Sequence, residues 1–134
     1  MTEEANNPTP EHFLNHMTAQ EVYDKVLFGI RKQGKPAMEH GRCLYRTPDG
    51  CACAAGQLIP DDKYDPSMEG KGVATLELFD GFRHRDLLRL LQWAHDNAAA
   101  DAIGGFFSYW EPKMKSLAAE FGVSYTPPTP TPTP

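Results

Sequence analysis

The sequence predicts one small α+β domain, in which about three main helices pack on a short β-hairpin. Three observations predict it. Apolar residues recur at helical spacing in three stretches, near residues 18–33, 84–97 and 112–121. Between the first two lies a strand-like run, residues 42–55, broken by Pro48-Asp49-Gly50, which is turn chemistry. The 134 residues suit one domain, and both ends are too polar or too proline-rich to build a core. The expected organisation is a disordered N-terminus at 1–10, a single domain at 11–125 and a disordered Thr/Pro tail at 126–134.

The elements follow in chain order. Asn6, Asn7, Pro8 and Pro10 break any early helix, and residues 11–17 suit a turn or a short helix. Thr18 and Glu21 form a T-x-x-E capping box, and Met17 can staple onto Val22. Val22, Val26 and Ile30 then share a helix face, with Tyr23 and Leu27 beside them, until Gly34 and Pro36 stop the helix. Cys51 to Ile59 suits either a returning strand or a short helix opening near Ala54. Residues 60–72 are a loop rich in Asp, Pro and Gly. The next helix builds its apolar face from Leu87, Leu88, Leu91 and Ala94. Gly104-Gly105 marks a hinge, Pro112 fits the first turn of the last helix, and Gly122 ends it. The tail contains Thr and Pro alone, which favours an extended polyproline II chain.

Composition excludes several functions. Met1–Pro10 is acidic and polar, unlike a signal peptide, and no apolar run approaches the length that spans a bilayer. The expected location is therefore cytoplasmic, with no membrane partner. A net charge of −5 argues against general nucleic-acid binding, which needs Lys and Arg on phosphates. Charge is nevertheless uneven: Arg31, Lys32, Lys35, Arg42 and Arg46 cluster before the turn, and Asp61, Asp62, Asp65, Glu69, Glu77 and Asp80 follow it. Three cysteines, an odd number, point to reduced thiols instead of a disulfide scaffold.

The densest chemistry runs from Cys43 to Gly70. It spells C-x-Y-R…G-x-x-C-A-x-G-x-L-I-P-D…Y…E-G, through Cys43, Tyr45, Arg46, Gly50, Cys53, Ala54, Gly56, Leu58-Ile59-Pro60-Asp61, Tyr64 and Glu69-Gly70. A later L-Q-x-x-H-D is supplied by Leu91, Gln92, His95 and Asp96. This pattern resembles a group of small phage and prophage proteins, over roughly residues 18–122. Cys51 departs from the pattern, in which Cys53 holds the second cysteine position. The resemblance implies a phage accessory protein acting in the cytoplasm of a bacterial host, with counter-defence as its setting, and it implies no mechanism.

Several sites compete within this stretch. A binding site would use Tyr45 and Arg46 from the hairpin, Asp61, Tyr64 and Glu69 from the loop, and His95 from the neighbouring helix. Arg46 would present its fork to a phosphate or carboxylate, Tyr64 a stacking face, and the carboxylates ribose contacts or support for Arg46. The bland counterpart is an internal Arg–Asp/Glu network that fixes the loop. The partner would be a host protein or a small anionic ligand, self-association is left open, and no cofactor is expected. The alternative is a cysteine-dependent hydrolase or transferase. There Cys53, at a helix N-terminus, is the nucleophile, His95 the base, and Asp96 or Asp101 its orienter. A zinc site would draw on His40, Cys43, Cys51 and Cys53, although C-x-C is tight for a tetrahedral centre and inert buried thiols compete with it. Asp61-Asp62-Lys63-Tyr64-Asp65 has the D-D-x-x-D spacing of magnesium–diphosphate sites, yet Pro60 and Pro66 bracket it in a loop. Phe106, Phe107, Tyr109 and Trp110 suit either an interface patch or closure of the core.

Overall fold

Thr18 and Glu21 start the first helix as a reciprocal cap. The Glu21 backbone N–H donates to the Thr18 hydroxyl at 3.1 Å, and the Thr18 N–H donates to the Glu21 carboxylate at 2.8 Å. In the computed structural model, which describes residues 12–100 and 105–128, this helix is α1, Ala19–Gln33. Its inward face is the expected one: Val22, Tyr23, Val26, Leu27 and Ile30 are buried. Gly34 closes it at φ 78°, a left-handed conformation that suits glycine.

The α+β class holds, but the hairpin sits upstream of its expected place. Strands β1, Met38–Glu39, and β2, Arg42–Cys43, pair antiparallel with Met38 opposite Cys43 and Glu39 opposite Arg42. The two-residue turn between them is His40-Gly41, with φ of 53° and 78°. Both values are positive, as a tight hairpin turn of this hand requires. A histidine there gives little sequence signal. Pro48-Asp49-Gly50 does reverse the chain, as expected, but it yields only an isolated Arg46–Ala52 bridge. The returning chain turns at once into a helix, so no longer ladder forms.

That helix, α2, spans Ala54–Leu58 and is capped by Cys53. Gly56 within it lies against the preceding turn so closely that a Cβ would meet the Tyr45 carbonyl oxygen at 2.0 Å. Since the obstacle is backbone, only glycine fits. The loop beyond is four short 3₁₀ turns: Asp61–Lys63, Pro66–Met68, Val73–Thr75 and Glu77–Phe79. Residues 12–17 form turns over this region, where the Asn15 side chain donates to the Gly81 carbonyl at 3.1 Å.

Two long helices complete the domain. α3, Arg85–Ala100, buries Leu87, Leu88, Leu91, Ala94, His95, Ala98 and Ala99. α4, Phe106–Phe121, buries Trp110, Met114, Leu117 and Ala118 and ends at Gly122, φ 70°. Pro112 was expected in its first turn, but α4 begins at Phe106 and Pro112 lies inside it. The proline ring cannot donate to Ser108, so that carbonyl loses its helical partner. The Tyr23 hydroxyl ties α1 to α4 by donating to the Met114 carbonyl at 2.8 Å. Trp110 is fully buried and stacks on Phe106 at 5.6 Å, so these two aromatics close the core. Among the described residues no helix is long and apolar enough to cross a membrane. The expectations for residues 1–11, for Asp101 and Gly104 and for Thr129–Pro134 lie outside the described residues.

Candidate functional site

Glu69 organises the stretch from Tyr45 to Glu69. Its carboxylate accepts three bonds: from the Tyr45 N–H at 2.8 Å, the Arg46 N–H at 3.1 Å and the Tyr64 hydroxyl at 2.7 Å. The 3₁₀ turns bring it back onto the chain segment that leads into the Pro48 turn, and the two N–H groups it takes up belong to residues just beyond β2. Burial and the bond to Glu69 push the Tyr64 phenol up to about 12. The Tyr45 ring is buried, its hydroxyl donates to the Lys71 carbonyl, and burial raises its pKa as well.

Arg46 stands beside this hub. It donates to the Asp61 carboxylate at 2.6 Å and to the Ile59 carbonyl, and its guanidinium lies 5.3 Å from the centroid of Tyr64. The fold therefore gathers five of the six residues read as a binding site: Tyr45, Arg46, Asp61, Tyr64 and Glu69. It gathers them facing one another. The fork of Arg46 is spent on groups of the protein, and Tyr64 stacks on that fork. Asp61 is the loose member, with its side chain 95% exposed.

His95 belongs to a different cluster, with Asp96 and Cys43 of β2. Its ring is fully buried. Nε2 faces the Ala37 backbone N–H at 3.0 Å, and Nδ1 faces the Asp96 carboxylate at 2.9 Å. A backbone N–H can only donate, so Nε2 must accept and Nδ1 carries the proton. Gln92 joins the network. Its Nε2 donates to the same Asp96 oxygen at 2.8 Å, and its Oε1 accepts from the Ala55 N–H at 2.9 Å, in the first turn of α2. L-Q-x-x-H-D thus ties α3 to the Ala37 segment and to α2.

This geometry corrects the catalytic alternative of Cys53, His95 and Asp96. A general base needs a free ring-nitrogen lone pair within reach of the nucleophile, and Nδ1 carries the proton toward Asp96. The remaining lone pair, on Nε2, is taken by the Ala37 N–H, and among the described residues no hydrogen bond joins Cys53 to His95. Cys53 does cap a helix, and its Sγ accepts from the Gly56 N–H at 3.4 Å. Burial nevertheless dominates and raises the thiol pKa well above its ordinary value; the contacts with Gly56 and Gln92 only partly offset it. The thiolate is the nucleophile, so burial of Cys53 disfavours its reactive form.

The zinc reading is corrected too. His40, Cys43, Cys51 and Cys53 do not gather; His40 is exposed at the hairpin turn, while Cys51 and Cys53 are buried in the core. The cysteines are all free thiols. Among the described residues, the metal-like grouping is instead Cys43, His95 and Asp96, with ligand atoms within 4.8 Å of one another. The His95 tautomer turns an N–H toward that centre instead of a lone pair, so the set does not suit a cation. The Cys43 thiol is pushed up to about 12 by burial and by neighbouring Asp96.

A two-bond ion pair of low exposure lies elsewhere. Arg31 of α1 and Glu111 of α4 meet in a two-bond fork, both bonds 2.8 Å long, with each side chain only 16% exposed. Nothing local announced it, because the partners are far apart in sequence. Two large aromatic side chains remain open to solvent, Phe28 at 44% and Trp93 at 49% exposure. Trp93 borders a surface groove of about 390 Å³ with Tyr109, Pro112, Lys113 and Leu117, and the Lys113 ammonium sits 5.6 Å from its ring centroid. Neither aromatic was read as a site residue. Comparison of the chain with family models, with curated proteins and with solved structures gave no match.

Proposed function

We propose that this chain is a non-enzymatic binding protein that captures a host protein through the aromatic groove between α3 and α4. The observation that carries the reading is Trp93. It leaves α3 about half exposed, while Leu91, Ala94 and His95 around it are fully buried. Covering the remaining half of the indole would contribute about 2–3 kcal/mol. Tryptophan is also the side chain most enriched among residues that dominate interface energies. The spent fork of Arg46 weighs against a small anionic ligand, and the buried Cys53 weighs against thiol catalysis. The resemblance to phage accessory proteins supports a bacterial partner, a cytoplasmic setting and a counter-defence role.

The test is affinity capture of a stoichiometric partner from bacterial host lysate, followed by titration of the purified pair. Trp93→Ala should weaken binding by about 30-fold, the effect of losing roughly 2 kcal/mol. Trp93 emission should shift to the blue on binding, with the buried Trp110 as an internal reference. Unchanged affinity in Trp93→Ala would place the contact elsewhere. Sedimentation of the free chain tests the other occupant of the groove, a second copy: concentration-dependent dimers abolished by Trp93→Ala would replace the host-protein reading.

A further inference from the structure

Residues 12–17 form a short strap against the loop at 78–84, and a histidine fastens each end of it. His12 holds the first end. Its Nε2 meets the Leu78 carbonyl at 2.9 Å, and its Nδ1 meets the Leu14 N–H at 3.1 Å. A carbonyl can only accept and a backbone N–H can only donate, so the two bonds together require the neutral ring with its proton on Nε2. The same ring stacks on Phe13 and on Phe82, at centroid distances of 4.7 and 5.3 Å. His84 holds the other end, where its ring bonds the Met17 backbone. Its Nε2 is buried and has no hydrogen-bond partner among the described residues. Arg83 adds a bond to the Met17 carbonyl at 3.2 Å, and its backbone N–H donates to the Asn15 side chain at 2.9 Å.

Protonation acts on both ends in the same direction. A proton on the His12 Nδ1 sets it against the Leu14 N–H, donor against donor. A proton on the His84 Nε2 makes a buried N–H with no acceptor, and burial together with the charge of Arg83 already lowers that ring's pKa. The neighbouring charges also favour release. The Lys63 ammonium lies 5.0 Å from the Phe13 ring centroid, and His16 and Lys25 line the cavity of about 430 Å³ that the strap shares with α1 and α2. Two carboxylates flank Leu78 in the chain: Glu77 is exposed, and Asp80 is engaged by Arg85 at 3.1 Å. Glu11, next to His12 in sequence, lies outside the described residues. We propose that His12 and His84 are an acid-sensitive latch, whose protonation frees residues 12–17 from the loop at 78–84 and bares the apolar side chains of Leu14 and Phe82. The closed strap binds fewer protons than the open one, so acid favours opening.

Two NMR measurements on the full-length ¹⁵N-labelled protein test the latch. Long-range ¹H–¹⁵N spectra at about pH 7.5 should show His12 as the Nε2–H tautomer. The Asn15 and Met17 amides, which bond to the His12 and Leu14 carbonyls at 2.9 and 3.0 Å, report on the strap. Between about pH 7.5 and 5.5 their exchange protection, corrected for intrinsic rate, should fall about 10-fold, the effect of one lost hydrogen bond. Val26 and Leu91, buried in the core, should keep theirs. His12→Gln, whose side-chain amide does not titrate, should remove the larger part of this acid response, and adding His84→Gln should remove the rest. An Nδ1–H tautomer at His12 would overturn the proposal, as would strap protection that does not change with pH. An undiminished acid response in His12→Gln would overturn it too. Equal loss of protection at Val26 and Leu91 would assign the response to the whole fold and sink the latch.

Discussion

His95 accepts the backbone N–H of Ala37 through Nε2 at 3.0 Å, inside the core and across 58 positions of chain. The bond anchors the segment that leads from α1 into the hairpin, and it assigns the ring a structural role in place of a catalytic one. His95→Ala should therefore strand a buried donor and open a cavity. The two effects together should cost about 2–4 kcal/mol. His95→Gln, which can still offer an oxygen, should recover part of the loss. Urea denaturation of the three proteins checks the order, and a His95→Ala protein of unchanged stability would return the ring to the list of free functional groups.

Arg46 and Asp61 form one ion pair with unequal members. Arg46 also holds the Ile59 carbonyl and packs on Tyr64, whereas Asp61 is almost fully exposed. Arg46→Ala should cost about 1–2 kcal/mol, through the lost bond and the lost stacking. Asp61→Asn should stay within about 0.5 kcal/mol, as exposed pairs usually do. The opposite ranking in chemical denaturation would mean that Arg46 is held open for a ligand.

The sequence announced features whose cause is local. The Thr18–Glu21 cap, the buried stripe from Val22 to Ile30, the glycine stops at Gly34 and Gly122, and the Pro48-Asp49-Gly50 reversal depend on neighbouring residues and were legible. The convergence of Tyr45, Arg46, Asp61, Tyr64 and Glu69 was also legible, because turn-rich chain joins two short segments of opposite charge. Their meaning was not: whether Glu69 faces solvent or two orphan N–H groups depends on how the 3₁₀ turns fold back. The hairpin was misplaced because its turn rests on His40 in a positive-φ conformation. Arg31–Glu111 and His95–Ala37 were invisible, since helix packing alone sets pairs so far apart.

Cys53 should behave as a small buried hydrophobe. Its modification by a thiol reagent should proceed only as fast as the protein opens, and should accelerate in urea in parallel with global unfolding. Cys53→Ala should be mild. Cys53→Ser should be worse, because a hydroxyl there needs a stronger partner than the Gly56 N–H at 3.4 Å. Rapid stoichiometric labelling of Cys53 in the native protein at neutral pH would show a reactive thiol and revive thiol chemistry.

Acid should weaken the junction of α1, α4 and the tail through Glu111. Burial alone would raise the Glu111 carboxyl, but bonds from Arg31 and Tyr125 outweigh it and hold the group below its ordinary value. Asp49 is held down to about 2 by its bonds with Lys35 and Thr47, and Asp65 is lowered by the Ser67 N–H. His84 is lowered as well, by burial and by the charge of Arg83. For each of these groups the unfolded chain binds the proton more readily than the folded one, so stability must rise with pH. The carboxylate contribution is complete above the unfolded value, about 4, and is lost as pH falls through the folded values. The His84 contribution fades earlier, below about 6.5. Urea midpoints should therefore decline gently from pH 7 to 5 and steeply below 4. Glu111→Gln should lower the midpoint at pH 7 and flatten the steep limb, because the neutral amide removes the proton that unfolding would take up. A Glu111→Gln protein that keeps the full acid dependence would assign that limb to other carboxylates and leave the Arg31 fork without a thermodynamic role.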